Sequence, residues 1–72
     1  MLTKRQKEVL ALIKKQINQK SIPPTIVELA VALGVYQNSV QGIIKILVRD
    51  GYLTRTPKIS RGLKVTKKGE KA

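Results

Sequence analysis

Apolar residues recur at helical spacing in the first part of the chain and predict an amphipathic helix there. The segment from Thr3 to Gln6 has the capping-box form, in which the two side chains satisfy backbone amides at a helix start. We therefore expect a helix that begins after Thr3 and frays near residues 18–20. One face would carry the apolar residues Val9, Leu10, Ile13 and Ile17.

A second, shorter helix is predicted between Thr25 and Gly34. Pro23 and Pro24 end the first helical pattern and impose an extended connection. Thr25 and Glu28 repeat the capping box, which explains Glu28 without a catalytic role, and Gly34 suits a left-handed C-cap. The apolar positions again share one face: Ile26, Leu29, Ala30 and Leu33.

A third helix is predicted over roughly Gln37 to Asp50. Residues 43–48 are rich in β-branched side chains, which on propensity alone favours a strand. The helical period decides the matter, because it separates apolar and polar positions into opposite arcs. The apolar arc holds Val40, Ile43, Ile44 and Leu47, and the polar arc holds Asn38, Gln41, Gly42, Lys45 and Arg49.

The rest of the chain has the pattern of a two-stranded hairpin. Residues 52–56 predict a strand, 57–62 a basic loop and 63–66 the returning strand. The basic tail, residues 67–72, is expected to be disordered or loosely attached. The predicted fold class is α+β, mainly α: a winged helix-turn-helix over residues 1–66, in which a three-helix bundle precedes a two-stranded β-hairpin wing.

Composition narrows the classes of function. The 72 residues include 15 lysines and arginines but only 4 acids, for a formal charge of +11, and neither cysteine nor histidine. Disulfides, a Cys/His zinc site and an imidazole base are therefore excluded, and the scattered acids form no close pair. With neither a signal peptide nor a membrane span in the sequence, we expect a cytoplasmic, nucleoid-associated binding domain that is not an enzyme and uses no cofactor and no metal.

The positive charge lies at the two ends of the chain. Residues 21–44 contain no lysine or arginine, so all of the basic residues fall within residues 1–20 and 45–72. A neutral centre between basic flanks suits a protein that holds a polyanion at its edges and recognises something else in the middle. Solubility alone is the weaker explanation, since a net charge of about 2–8 suffices for it.

The polar arc of the third helix carries side chains that can recognise bases in the major groove of DNA. Asn and Gln pair with adenine, and Lys reaches guanine or a phosphate. Gly42 either lets the helix lie close to the duplex or is a tolerated surface glycine, two interpretations of equal weight. The candidates are Gln37, Asn38, Gln41 and Lys45 for base contact, and Tyr36 and Ser39 for a phosphate or a thymine methyl.

The predicted wing supplies a second basic surface. It would follow phosphates or insert Arg61 into a minor groove. Alternatively, the cations of the hairpin only form a solvated face that protects an exposed strand edge. We favour this alternative less, because the third helix, which suits the major groove of DNA, would lie beside the hairpin. The candidates for DNA contact are Lys58, Ser60, Arg61 and Lys64, next to Arg55.

The chain contains four motifs of a known kind: Leu2-Thr3-Lys4-Arg5-Gln6, Pro23-Pro24-Thr25 before Glu28, Leu33-Gly34, and Ser60-Arg61-Gly62 before Leu63 and Val65. With these motifs, residues 2–66 resemble the DNA-binding domain of the LexA repressor family. The resemblance implies a winged helix-turn-helix that binds operator DNA as a dimer and usually represses transcription. By position, it implies DNA contact by Gln37, Asn38, Ser39, Gln41, Lys45 and Arg61. Residues 33–53 and 66–69 also resemble MarR-like regulators.

Two departures from that family bear on function. The segment from Gly34 to Gly51 is one residue shorter and its polar face differs, so the LexA operator sequence is not transferred. LexA proteins also continue into a self-cleaving peptidase domain, whose serine–lysine pair has no counterpart in these 72 residues. The sequence is compatible both with a stand-alone regulator and with one domain of a longer protein.

We expect a sequence-specific regulator that binds double-stranded DNA, acts as a repressor and forms a homodimer on a two-fold DNA site. Two alternatives stay open: a protein-interaction adaptor that docks through Ile46, Val48 and Ile59, and a non-specific architectural nucleic-acid binder. Attachment to a membrane surface by the first helix is disfavoured, because the core needs its apolar face.

Overall fold

The predicted order of elements is present in the computed structural model, which describes residues 2–59 and 61–72. Three helices precede an antiparallel hairpin, as the predicted winged helix-turn-helix requires, and a fourth short helix follows. The elements are α1 (Lys4–Lys20), α2 (Ile26–Leu33), α3 (Gln37–Arg49), β1 (Leu53–Arg55), β2 (Leu63–Val65) and α4 (Lys67–Lys71).

Both predicted capping boxes are formed. Thr3 Oγ1 accepts the Gln6 N–H at 3.2 Å and Gln6 Oε1 accepts the Thr3 N–H at 3.0 Å, and Thr25 and Glu28 make the same exchange at the start of α2. The predicted fraying of α1 is wrong. The helix stays regular as far as Lys20. Ser21 caps it there, because it takes a left-handed conformation, φ 56°, and donates its N–H to the Ile17 carbonyl at 2.8 Å.

The core forms around α3, which packs against α1, α2 and β1. Burial therefore confirms the helical interpretation of residues 43–48, since a strand would place alternate residues on one face. Ile43 is half-buried at the edge of the core, and the two hairpin strands add one leucine each. The buried apolar residues are Val9, Leu10, Ile13, Leu29, Ala30, Val40, Ile44, Leu47, Leu53 and Leu63.

The chain turns sharply between α2 and α3. Gly34 ends α2 with φ 68°, a left-handed conformation that glycine adopts without steric cost, and Val35 donates its N–H to the Ala30 carbonyl at 3.1 Å. The two helices meet at 112°, which is the geometry of a helix-turn-helix. In the described residues no single helix is long and apolar enough to cross a membrane; α2 and α3 reach that length and composition only as a bent pair.

The hairpin is shorter than predicted. Only three residues on each side pair, with Leu53 opposite Val65 and Arg55 opposite Leu63. The connecting loop is closed by the Thr56 N–H, which donates to the Gly62 carbonyl at 3.0 Å. A Cβ on Gly62 would lie 2.7 Å from the Thr56 carbonyl oxygen, so the loop closes this tightly only with glycine at that position.

The prediction of a loosely attached tail is wrong, because residues 67–71 form α4. Thr66 Oγ1 caps this helix by accepting the Gly69 N–H at 3.1 Å. Lys14 of α1 binds the other end of α4, because its ammonium group donates to three carbonyls of the last turn, where backbone carbonyls lack a full set of helical partners. These are the carbonyls of Gly69 at 3.2 Å, Glu70 at 3.3 Å and Ala72 at 3.0 Å.

A second lysine fixes α4 to the end of α3. Lys68 Nζ donates to the Asp50 carbonyl at 2.8 Å and lies 4.7 Å from the centre of the Tyr52 ring. Both lysines therefore act through long-range contacts, which explains why a segment with so few apolar residues is ordered.

We predict that Gly69→Ala lowers the free energy of unfolding by about 1–3 kcal/mol, as overpacking does in well-packed sites. Gly69 is buried, and an added Cβ would collide with the Tyr52 carbonyl oxygen and lie 2.9 Å from Val65 Cγ1. Urea unfolding followed by circular dichroism measures the change.

The control is Gly42→Ala in α3, where an added Cβ meets nothing within 4 Å. Alanine is the better helix former, so this variant should gain up to about 1 kcal/mol. Equal stabilities for the two variants would contradict the tight docking of α4.

Candidate nucleic-acid interface

The polar face of α3 points away from the core. Every member of the predicted polar arc is exposed, because Val40, Ile44 and Leu47 on the opposite side of the same helix are buried in the core. Amide, ammonium and guanidinium groups thus lie side by side on one convex surface. We call this surface the α3 face; it comprises Asn38, Gln41, Gly42, Lys45 and Arg49.

The α3 face continues around the start of the helix. Tyr36, Gln37 and Ser39 are exposed, Tyr36 with 85% of its surface accessible. Tyr36 occupies the N-cap position, yet its side chain makes no capping hydrogen bond. This differs from α1, α2 and α4, each of which begins with a threonine that caps a backbone N–H.

The wing presents its lysines to solvent. Lys58 and Lys64 are exposed, as is Arg55 on β1. Lys58 lies in the turn after Pro57 with φ 68°, a left-handed conformation that is uncommon for a side chain of this kind. Ser60, which the sequence suggests as a contact residue, lies outside the described residues.

The Arg61 side chain forms hydrogen bonds with other residues of the same chain, which the sequence did not predict. Its Nη1 donates to Glu28 Oε1 at 2.9 Å and to the Pro23 carbonyl at 3.0 Å, and its Nη2 donates to Glu28 Oε2 at 3.0 Å. The two planar groups therefore meet with two parallel bonds, the strongest geometry for this ion pair. The wing is thereby joined to the first turn of α2.

Glu28 receives four hydrogen bonds in all. Besides the two from Arg61, its Oε1 accepts the Thr25 N–H at 3.0 Å and the Gln16 Nε2–H at 3.3 Å. These donors, the Arg61 side chain first among them, lower the pKa of Glu28 from 4.5 to about 2, and the carboxylate in turn raises the pKa of Arg61.

A groove of about 610 Å³ lies on another side of the domain, between α1, the wing and α4. Its apolar lining includes Leu63 and Val65, while Lys14 and Arg61, which also line it, donate hydrogen bonds within the chain.

The apolar patch that a protein-interaction adaptor would need is largely covered. Ile46 and Val48 are half-buried, and only Ile59 of the three is exposed.

Sequence reasoning missed the partners of Glu28 and Lys14. It identified Glu28 as a capping residue, which is confirmed, but Arg61 is 33 positions away and no local pattern links the two. Lys14 lies outside the apolar stripe of α1, and nothing in its position along the chain indicates that it is half-buried against α4. Neither contact has a spacing signal, because both depend on the tertiary fold.

A short helix, a turn of three residues and a helix with an exposed polar face, followed by a hairpin, define a winged helix-turn-helix domain. Residues 1–62 match the model of the LexA DNA binding domain family, and the chain belongs to that family. It is 38% identical over 69 residues to the LexA repressor of Shouchella clausii and 48% identical over 63 residues to that of Anaeromyxobacter sp. strain Fw109-5. These matches cover 94% and 86% of the chain but 33% and 27% of the relatives, so the chain spans about a third of their length.

Solved structures of regulators share the fold. A transcriptional regulator from Thermotoga maritima is 40% identical, with a TM-score of 0.74 over 96% of this chain and 47% of that one. The reduced form of MarR from E. coli is 28% identical, with a TM-score of 0.76 over 97% of this chain and 51% of that one. The likeness to LexA and MarR-like proteins expected from the sequence is confirmed.

The ion pair predicts a pH dependence of stability. Unfolded Glu28 takes up a proton near its ordinary pKa of 4.5, whereas folded Glu28 keeps its charge down to about pH 2. The unfolded state therefore binds more protons in that range, so the contribution of Glu28 is complete above the range and declines as the pH falls through it.

We expect the difference in free energy of unfolding between the parent chain and Glu28→Gln to be larger at about pH 6 than at about pH 3. Urea unfolding of both proteins at the two pH values measures it. The same difference at both values would show that the charge on Glu28 is not involved.

Proposed function

We propose that the chain is a sequence-specific, double-stranded DNA-binding domain of a transcriptional repressor. The observation that carries the proposal is the α3 face, a convex row of amide and basic side chains held outward by the buried stripe of the same helix. A helix presented in this way fits the major groove of B-DNA, which is wide enough to admit it.

The α3 face has the side chains for base recognition. Asn38 and Gln41 would each make paired hydrogen bonds to adenine N6 and N7, with Gln37 at the start of the helix as a third amide. Lys45 lies one turn further along the same face, within reach of guanine or of a phosphate. Tyr36 and Ser39 would contact a phosphate or a thymine methyl at the edge of the groove.

Phosphate contacts would come from the wing and from the start of α3. Lys58 and Lys64 are exposed cations on one hairpin, and the formal charge of +11 favours approach to a polyanion. The amides of the first turn of α3 offer a further phosphate site, since Tyr36 leaves them without a side-chain cap. Two copies would pair on a two-fold DNA site, and binding to chromosomal DNA would keep the protein with the nucleoid.

Separate variants distinguish base recognition from phosphate contact. Gln41→Ala should change which duplexes are enriched from a random pool, with a loss of about 1–3 kcal/mol at one base-pair position. Lys58→Ala should weaken all duplexes alike and reduce the slope of log K against log salt by about 0.9. Sequencing of the enriched pools and titrations across a salt series measure both effects.

Enrichment of no sequence by the parent chain would contradict sequence-specific binding. Identical behaviour of the two variants would contradict the division of labour between α3 and the wing.

Gly42 tests how closely α3 approaches the duplex. An added methyl group meets nothing within 4 Å inside the chain, so only DNA can oppose it. If the helix backbone lies against the bases, Gly42→Ala should bind the selected duplex about tenfold more weakly although the folded domain is more stable. Unchanged affinity would support the interpretation of Gly42 as a tolerated surface glycine.

A further inference from the structure

Arg61 is the wing cation with the most complete set of partners in the described residues. Its guanidinium forms two bonds with the Glu28 carboxylate and one with the Pro23 carbonyl, all between 2.9 and 3.0 Å. A guanidinium has five N–H donors, and three of those of Arg61 are used in these bonds within the chain. To enter a groove of DNA, Arg61 would have to leave the Glu28 carboxylate unpaired near the phosphates.

The partners of Arg61 belong to the helix-turn-helix unit. Glu28 lies in the first turn of α2 and is itself fixed by Thr25 and Gln16, while Pro23 lies in the connection before α2. The wing, by contrast, has only three paired residues on each strand, and so short a hairpin has little rigidity of its own. A bond from its loop to α2 therefore determines where the loop lies relative to α3.

From this geometry we infer that Arg61 and Glu28 are a positioning pair, which aims the wing of the DNA-binding domain, while Arg61 itself stays off the DNA. The inference rests on the proposed function and changes the role that the resemblance to LexA gives Arg61. The wing lysines, Lys58 and Lys64, then make the phosphate contacts.

Two conservative variants separate positioning from direct contact. Arg61→Lys keeps the charge, which suffices for a phosphate contact, but a lysine cannot form the two parallel bonds to Glu28. Glu28→Gln keeps an oxygen for the Thr25 N–H and removes one of only four acidic residues of the chain. Electrostatics alone predicts tighter DNA binding by Glu28→Gln, whereas loss of wing position predicts weaker binding.

Glu8→Gln is the matched control, because Glu8 pairs with Arg5 within α1 at 3.2 Å and is remote from the wing in its contacts. Dissociation constants are measured for the full chain with the duplex that it selects and with an unselected duplex of the same length. The titrations cover a salt series, and circular dichroism establishes that each variant is folded.

We expect Arg61→Lys and Glu28→Gln to bind the selected duplex about fivefold more weakly than the parent chain, and Glu8→Gln to bind at least as tightly. For Arg61→Ala, the slope of log K against log salt should equal that of the parent chain. A residue that contacts phosphate would instead reduce this slope by about 0.9 when it is replaced. Parent-like binding by Arg61→Lys, together with tighter binding by Glu28→Gln, would overturn the positioning role and leave the proposed function intact. Failure of the parent chain to bind either duplex would overturn the proposed function and the pair with it.

Discussion

The burial of one apolar stripe of α3 is the constraint on which the rest of the structure depends. Val40, Ile44 and Leu47 are completely enclosed, each with 0% of its surface exposed, by side chains from α1, α2 and β1. Each such side chain contributes roughly 1.5–3 kcal/mol of hydrophobic free energy, so rotation of the helix about its axis would be costly. The polar residues between them are thereby held outward, and a rigid polar surface is what recognition of DNA bases requires.

The wing depends on a polar contact instead. Partly exposed ion pairs usually add little to stability, and Glu28 and Arg61 each expose about two-fifths of the side chain, at 42% and 43%. This pair contributes orientation rather than stability, because the two parallel bonds to Glu28 and the third to Pro23 leave the guanidinium little freedom. The same carboxylate caps α2, so helix start and wing position are coupled through one residue.

Local pattern was sufficient for the first three helices and insufficient for α4 and for the contacts between distant segments. The period of Val40, Ile44 and Leu47 identified α3 as a helix despite its β-branched run, and the caps at Thr3 and Thr25 located two helix starts to the residue. These features repeat within a few positions, where sequence spacing and spatial proximity coincide.

The tail and the wing arginine had no such signal. The segment of α4 contains no apolar side chain. Its order comes from Lys14, more than fifty positions earlier, from the bond of Lys68 to Asp50, and from the close packing that Gly69 allows. Arg61 resembled a DNA contact because it is a cation on a wing. Its partner could be recognised only after the fold had brought the wing to α2.

The central claim is that the outward side of α3 is the surface that meets DNA. The most direct measurement is a nuclear magnetic resonance titration of the isotope-labelled chain with a duplex selected by it. The account predicts the largest amide shifts at residues 36–45, with a second group in the wing. The absence of shift changes at those amides, with changes confined to the exposed apolar side of α2 at Val27 and Val31, would contradict the claim that α3 meets DNA.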